Sequence, residues 1–319
     1  MSDFQINFKE DKLIWDAFAL TSPQRSIFVY SKFLDSLLVN YDLVTCYENE
    51  RIVAGAVILY SETGEPINST FPFTQYQGML LADNTQKATH SQITHEFKVV
   101  EFIIQQLTKT YSNFSLSHSW RLADLRPFQW HNYKEPDKGQ FKINLRYTAI
   151  VNLKLFESFE AYLSSVRTVR KQEYKKSSQL LKFQFSDDEL MIDMLHAKTF
   201  KRQNIERTDK ESLLVRTICK NAITGGYGKI GVAYLDKVPV SAVLFLYDDR
   251  TAYYLFGAND PVYRNTGSGT FTLMSMIKDA FNLGLEHIDM VGVNSPQRGD
   301  FKISFNADLK PYLESIYNE

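Results

Sequence analysis

The sequence predicts a mixed α/β protein built from two related units. Its 319 residues exceed what one hydrophobic core usually fills. Two hairpin-like segments match each other at a fixed offset, because Tyr47 and Tyr234 lie 187 residues apart, as do Tyr60 and Tyr247. Each hairpin is followed by another strand, a helix and a short strand. This repeated order of elements predicts an internal duplication.

Hydrophobic periodicity gives the elements of the first half. In chain order they are a helical segment at 13–39 with a restart at Ser22-Pro23, a hairpin at 43–60, a strand leading to Leu81, a helix at 93–108, a short strand at 114–118 and a strand at 143–153.

The second half begins with a strongly basic helical stretch at 156–181. Two more helices are predicted at 190–202 and 210–223, then a hairpin at 231–247, a strand at 253–258, a helix at 271–283 and a short strand at 287–293. The predicted domains are therefore residues 1–153 and 154–319.

Composition narrows the class of protein. The net charge of −1 gives no whole-molecule attraction to nucleic acid or to an anionic membrane. Two cysteines, Cys46 and Cys219, are too few for a disulfide framework or a four-ligand metal site, which favours a cytoplasmic protein without metal. The sequence contains no run of ~18 apolar residues, so no membrane-spanning helix is predicted. No secretory signal is predicted either.

The stretch from Tyr253 to Leu283 carries the main functional signal. An aromatic strand, Tyr-Tyr-Leu-Phe-Gly-Ala, is followed by Arg264-Asn265-Thr266-Gly267-Ser268-Gly269 and then by an apolar helix. A strand, a glycine-containing turn and a helix direct free backbone N–H groups and a positive helix end at one point. Such a point suits a phosphate or pyrophosphate. A Gly-x-Gly before a helix is by itself commonly only a tight turn.

The spacing Arg-x-x-Gly-x-Gly resembles the pyrophosphate-binding motif of the GNAT acyltransferase superfamily. Phe301, Lys302 and Phe305 form a Phe-Lys-x-x-Phe run that resembles the C-terminal signature of the Fem-type branch. That branch comprises peptidoglycan aminoacyltransferases and relatives that use acyl-CoA. The resemblance implies two tandem GNAT-like domains, each with a mostly antiparallel mixed sheet flanked by helices.

The same resemblance implies that acetyl-CoA or another acyl-CoA lies across the turn. The residues expected to bind it are Phe256, Gly257, Ala258, Arg264, Asn265, Thr266, Gly267, Ser268, Gly269, Thr270 and Asn294. Asn294 is equally compatible with a simple turn residue before Ser295-Pro296.

Acyl transfer to an amine needs charge stabilisation at the carbonyl and a route for the amine proton. Lys302 is the expected charged stabiliser, although a lone lysine is commonly a surface residue. Asp289, on the strand after the helix, is expected to act as a base or to orient the acceptor. A buried, locally paired carboxylate is the competing interpretation.

No Arg-x-x-Gly-x-Gly motif occurs in the first half, and the corresponding stretch 82–94 contains no glycine. We expect this half to have lost the donor site and to shape the acceptor pocket. Aromatic, Arg and Gln side chains suit a sugar or nucleotide-sugar acceptor. The expected acceptor-binding residues of this half are Tyr76, Gln77, Trp120, Arg126 and Gln129, with Arg121, Trp130 and Arg146 as further candidates. Arg167 and Arg170 on the basic helix are expected to bind an anionic acceptor or the phosphates of coenzyme A. Core packing of the tryptophans and a merely solvated basic face are the alternatives.

Taken together, these features predict a cytoplasmic N-acyltransferase that uses acyl-CoA and a small-molecule or sugar-nucleotide acceptor. Two alternatives stay open: an aminoacyl-tRNA-dependent transferase of the peptidoglycan type, and a GNAT-like binding module without catalysis. A tRNA partner is less favoured because tRNA binding depends on phosphate neutralisation and this chain is not basic.

Overall fold

The structure is a computed structural model that describes residues 4–84, 88–202 and 205–319. It divides into two compact units. The first comprises Met1–Arg146 and Pro311–Glu319, and the second comprises Tyr147–Lys310. The predicted mixed α/β class with two sheet-and-helix units is confirmed. The assignment of GNAT-like domains to 1–153 and 154–319 stays a prediction.

The first unit contains a sheet in the order β1-β2-β3-β4, with every pair antiparallel, and a second group in which β5, β12 and β6 are neighbours. Its elements are β1 (Phe4–Asn7), α1 (Lys12–Thr21), α2 (Ser31–Leu34), β2 (Tyr41–Glu48), β3 (Arg51–Leu59), β4 (Leu80–Leu81), α3 (Thr89–Thr110), β5 (Asn113–Ser117), α4 (Arg126–Trp130), the start of β6 (Gln140–Asn152) and most of β12 (Asp308–Asn318).

The second unit contains strands in the order β6-β11-β10-β9-β8-β7, in which only the β10–β11 pair among these registers is parallel. Its elements are α5 (Phe159–Ser165), α6 (Thr168–Ser177), β7 (Lys182–Ser186), α7 (Glu189–Lys201), α8 (Asp209–Thr224), β8 (Gly228–Leu235), β9 (Val238–Tyr247), β10 (Thr251–Asn259), α9 (Ser268–Asn282), β11 (His287–Asp289) and α10 (Pro296–Ile303).

Three predicted elements differ from the structure. In the segment 13–39, α1 ends at Thr21, next to the expected restart at Ser22-Pro23, but the part after it contains only a 3₁₀ turn at Ile27–Val29 and the single-turn α2. The basic stretch 156–181 is two helices, because the chain is extended at Val166 and Arg167. The strand predicted to lead to Leu81 is only two residues long. Apolar content alone did not reveal the irregular backbone in these three segments, because buried coil is as apolar as a buried helix.

The two hairpins share one geometry. In β2–β3 the turn residues Asn49 and Glu50 both have positive φ, and in β8–β9 Asp236 and Lys237 do as well. Positive φ at both turn positions is the type I′ pattern, whose twist matches that of paired strands. The register shifts at Cys46/Tyr47 in one hairpin and at Ala233/Tyr234 in the other, again 187 residues apart. A matching bulge at a matching position supports the duplication read from the sequence.

Each unit has a core in which one helix packs on the sheet. In the first unit Ile103, Ile104 and Leu107 of α3 are buried against the β2, β3 and β5 strands. In the second unit Leu273 and Ile277 of α9 pack on Val243, Phe245 and Ile288. Burial of such side chains contributes about 1.5–3 kcal/mol each. The core of the second unit therefore anchors α9 and sets the position of its amino end.

Candidate active site

Strands β10 and β11 open away from each other in the second unit. They pair in parallel only from Thr251↔His287 to Tyr253↔Asp289. β11 ends there, whereas β10 continues for six residues to Asn259. On its other edge β10 shifts register against β9 between Tyr254 and Phe256, as in a β-bulge. The divergence leaves the β10 edge beyond Tyr253 without a β11 partner.

Gly257 faces this unpaired edge with its backbone. The Asn259 N–H donates to the Thr199 hydroxyl at 2.9 Å, and that hydroxyl donates to the Asn259 carbonyl at 3.0 Å, so Asn259 points away from β9. Asp260 points toward β9, since its N–H donates to the Val240 carbonyl. Backbone direction alternates along a strand. Gly257, two residues before Asn259, therefore presents its N–H and C=O to the opening.

The turn after β10 ends in the amino terminus of α9. A 3₁₀ helix spans Pro261–Thr266, with the Asp260 carboxylate accepting from the Val262 N–H at 3.0 Å. Gly267 is left-handed, with φ of 71°, and α9 starts at Ser268. The Phe271 N–H reaches the Gly267 carbonyl, so the amides of Ser268 to Thr270 are the ones without an intrahelical acceptor. They form the positive end expected for an anion.

This chain's own side chains lie against both glycines of the turn. A Cβ built on Gly267 would lie 2.5 Å from the Ser177 hydroxyl, and one on Gly269 would lie 2.9 Å from the Asn259 amide oxygen. The Ser177 hydroxyl also donates to the Thr266 carbonyl at 2.6 Å. The glycines are thus required for internal packing, a role that the sequence argument did not foresee. The expectation that they leave room for a ligand stays a prediction.

Arg170 on α6 contacts the first turn of α9. Its guanidinium donates to the Thr270 hydroxyl at 2.9 Å and forms a short ion pair with Glu173, and Thr270 donates to Glu173 at 2.6 Å. The same guanidinium lies 5.0 Å from the centre of the Phe301 ring. Arg170 is therefore placed at the helix end by an acidic partner that the basic run concealed. Arg167, in contrast, pairs at the surface with Asp300 at 3.0 Å.

Lys302 lies on α10, and its ammonium faces the chain that follows β11. It donates to the carbonyls of Met290, Val291 and Gly292 at 2.5, 3.1 and 3.0 Å. The ammonium lies 5.1 Å from the centre of the Tyr254 ring. Burial lowers the pKa of Lys302 to about 8, while the nearby Asp289 opposes that shift. Its three donors are all directed at backbone carbonyls, so any effect on a reacting carbonyl acts through charge and position.

Asp289 is buried and bonded within the protein. Its carboxylate accepts from the Thr148 hydroxyl at 2.6 Å and from the Val291 N–H at 2.8 Å. Val291 has φ of 49°, a region that β-branched residues rarely adopt. Backbone strain of this kind persists only where neighbours enforce it. Asp289 and Lys302 hold the strained turn from its two sides, a feature with no signal in the sequence.

Asn294 binds the backbone of its own chain. Its amide oxygen accepts from the Tyr147 N–H at 2.8 Å, and its amide nitrogen donates to the Tyr147 carbonyl at 3.1 Å. The side chain thus continues the pairing of β6 beyond the end of β11. These two bonds use one N–H and one oxygen lone pair of the amide, so the exposed side chain keeps a second donor and a second acceptor for a further contact.

The region that contains these features matches a family model described as "Acetyltransferase (GNAT) domain" over residues 164–302. This match identifies a GNAT-type domain within the second unit. The match covers α6 to α10, so it includes the β10–β11 opening and the amino end of α9. No curated protein shows significant sequence similarity to the chain.

Solved structures extend the likeness to the whole chain. The solved structure described as "Crystal structure of FemX" superposes on this chain with a TM-score of 0.69 at 12% identity. The superposition covers 98% of this chain and 96% of that one. A tandem GNAT protein from the clavulanic acid biosynthesis pathway has a TM-score of 0.54 at 9% identity, covering 100% and 98%. The C-terminal domain of a putative lysylphosphatidylglycerol synthetase from Agrobacterium fabrum has a TM-score of 0.54 at 11% identity, covering 96% and 91%.

At such low identity these likenesses concern the fold. Together with the GNAT domain they confirm the expected Fem-like, double-GNAT architecture. The GNAT domain supports an acyltransferase as the class of protein.

In the first unit, the gap between β3 and β5 is filled by the chain itself. The Ile67 N–H donates to the Leu59 carbonyl of β3 at 2.9 Å, and the Ser115 N–H of β5 donates to the Ile67 carbonyl at 3.0 Å. A small internal space of about 20 Å³, enough for about one water, remains beside this bridge. Polar side chains of Thr70, Gln77 and Glu314 are among those that line it. Residues 85–87 of the glycine-free stretch lie outside the described residues.

The predicted acceptor residues of the first unit fall into two groups. Tyr76 is 2% exposed and packs on Phe28 and Tyr312, and Gln77 is also buried. Around α4, the Arg126 guanidinium pairs with Asp124 and stacks on the rings of Phe97 and Trp130.

Gln129 is exposed beside this cluster, and Trp130 is 53% exposed. Trp120 and Arg121 stack on each other at 4.7 Å. Arg146 pairs with the buried Glu314 at 3.0 Å. The structure therefore brings Arg126, Gln129 and Trp130 together and places Tyr76 in the core.

Within the described ranges, no cluster of three or more His, Cys, Asp or Glu side chains has the geometry of a metal site. No helix of the described chain is long and apolar enough to cross a membrane.

Proposed function

We propose that the chain is an N-acyltransferase that moves an acyl group from an acyl-CoA thioester, such as acetyl-CoA, to an amine. One observation carries the proposal. The parallel strands β10 and β11 separate beyond Tyr253 and Asp289, and the unpaired edge that Gly257 presents leads to the amino end of α9. An extended amide-containing arm suits such an edge, and an anionic group suits such a helix end.

In this proposal the donor lies in the opening between β10 and β11. Its phosphates bind the amides of Ser268 to Thr270, with the exposed Arg264 and with Arg170 as counter-charges. The pantetheine arm of the donor lies along Phe256 to Ala258. Asn265, Thr266 and Gly267 complete the turn. One feature opposes this arrangement locally, because Glu173 already pairs with Arg170. The donor phosphates therefore compete with the Glu173 carboxylate for the Arg170 guanidinium.

In the reaction the amine nitrogen attacks the thioester carbonyl carbon, the C–N bond forms, the C–S bond breaks and the thiol leaves with a proton. The Gly257 N–H, which the unpaired β10 edge presents to the opening, is the proposed donor to the developing oxyanion. Lys302 supplies positive charge next to this edge, and Asp289 fixes the turn that carries the Lys302 contacts. Asp289 thus acts by orienting this turn.

An amine on a sugar or nucleotide sugar is the proposed acceptor. The cluster of Arg126, Gln129 and Trp130 offers a stacking face with a cation and an amide, which suits such a ligand. Arg167 and the exposed part of α6 offer further positive charge. A cytoplasmic location is part of this proposal, because Cys46 and Cys219 are both free thiols.

The second candidate function is transfer from aminoacyl-tRNA, favoured by the fold shared with FemX and with the lysylphosphatidylglycerol synthetase domain. The net charge of −1 favours the smaller donor. A binding module without catalysis is the third candidate, and the tests below separate all three.

Isothermal titration with acetyl-CoA tests the donor site. We expect Arg264→Glu to weaken binding by about tenfold or more, because it reverses a charge beside the phosphate position. Lys278→Glu is the matched control, since it makes the same charge change on an exposed residue of α9 far from its amino end. Gly267→Glu is unsuitable, because its side chain would displace Ser177. Equal affinity of both variants and the parent would rule out this site.

Release of free thiol in the presence of amino sugars then separates an enzyme from a binder. A chain that binds acetyl-CoA but releases no thiol with any amine tested supports the binding module. If the protein binds no CoA ester but binds aminoacylated tRNA, and if its affinity for this tRNA falls as the salt concentration rises, the result supports the aminoacyl-tRNA alternative.

A further inference from the structure

The Tyr254 side chain lies at the point where β10 and β11 separate. Tyr254 follows directly after Tyr253, the last β10 residue paired with β11. Its ring is 8% exposed and packs on Phe245 at 5.9 Å between ring centres. The Lys302 ammonium of α10 lies 5.1 Å from the centre of the Tyr254 ring. The ring therefore fills the inner end of the opening.

The phenol also covers Gly257. A Cβ built on Gly257 would lie 1.8 Å from the Tyr254 hydroxyl oxygen, so the phenol occupies the volume that a side chain at 257 would take. Lys302 is itself held by three backbone carbonyls, and Phe245 is fully buried. A ring enclosed in this way has little room to rotate aside.

We propose that the Tyr254 ring limits the transferred acyl group to a short chain such as acetyl. The inference rests on the proposed acyl-CoA function. A carbonyl that accepts a hydrogen bond from the Gly257 N–H places its acyl tail next to the phenol. A methyl group fits in contact with the ring, whereas a chain of several methylenes meets it and must displace packed core atoms. Tyr254 is thus a residue that determines acyl-chain length.

The test is isothermal titration of the parent and of three variants with free CoA, acetyl-CoA and octanoyl-CoA. Tyr254→Phe keeps the ring and is the matched control. Tyr254→Ala removes the ring, and Tyr254→Leu replaces it with a smaller side chain that keeps more of the core filled. Circular dichroism and thermal melting identify which of the two smaller variants is folded, and binding is measured on that variant.

In the parent and in Tyr254→Phe, we expect octanoyl-CoA to bind about tenfold more weakly than acetyl-CoA. In the folded small variant, the affinity for octanoyl-CoA rises about tenfold, while the affinity for free CoA stays at the parent value. If the ratio of octanoyl-CoA to acetyl-CoA affinity is the same in all folded proteins that bind free CoA, the inference about Tyr254 is wrong and the donor site stands. If the folded parent binds none of the three compounds, the proposed donor fails first.

Discussion

The Gly257→Ala substitution adds one methyl group where the Tyr254 phenol already lies. The new Cβ would be 1.8 Å from the phenol oxygen, 2.7 Å from Cζ and 3.0 Å from Cε2. Real Cβ atoms essentially never come closer than 3.0 Å to a heavy atom outside their own residue and its two chain neighbours. The phenol must therefore retreat by more than about 1 Å within a packed core.

Overpacking of this kind costs about 1–3 kcal/mol. For a unit of this size, we expect the unfolding midpoint to fall by roughly 2–4 °C per kcal/mol. The assay is thermal and denaturant unfolding of Gly257→Ala, Tyr254→Leu and the double variant. Because leucine lacks the outer ring atoms, Gly257→Ala should cost much less in the Tyr254→Leu background. An unchanged midpoint for the single Gly257→Ala variant, or an equal cost in both backgrounds, would refute the assigned contact.

Three further predictions concern charged residues of the second unit. Glu173→Gln removes a negative charge beside the amino end of α9 and should tighten acetyl-CoA binding about two- to fivefold, as expected for a charge at a helix end. Isothermal titration compares this variant with the exposed Glu160→Gln. Weaker binding by Glu173→Gln than by the parent would contradict the prediction. The pKa of Lys302 falls from 10.5 to about 8 on folding, so above pH 8 the unfolded chain binds more protons and the unfolding free energy should rise with pH. If denaturant titrations of Lys302→Met show the same rise of the unfolding free energy with pH, the rise does not come from Lys302. Asp289→Asn weakens the bonds to Thr148 and Val291 and should lower the unfolding free energy by about 1–3 kcal/mol, whereas a loss no larger than that of the exposed Asp308→Asn would count against it.

The sequence was most informative where local chemistry decides structure. The offset of 187 residues between Tyr47 and Tyr234 predicted a duplication, and both type I′ turns and both bulges agree with it. The strand–turn–helix order around Gly267 was also correct, because hydrophobic periodicity changes at the turn.

The remainder depended on contacts between residues distant in sequence. Glu173 lies within a run of basic residues, and only the fold places its carboxylate against Thr270. The three carbonyls that surround Lys302 follow from the left-handed turn at Val291, which a sequence containing a valine there does not predict. The burial of Tyr76 was missed as well, because an aromatic residue in a loop has the same composition signal whether it binds a ligand or packs in the core.

The bridge made by Ile67 has a consequence for how the two copies respond to a bound molecule. Its N–H and C=O already complete the hydrogen bonds between β3 and β5, so the first unit gains nothing further at that gap. The edge at Gly257 has no such bridge from β11, and in the proposed function the donor would complete its hydrogen bonds. In the proposed function, the free energy of donor binding is added at the β10 edge of the second unit. Amide hydrogen exchange at Gly257 should slow in the presence of the donor while exchange at Ile67 keeps its own rate.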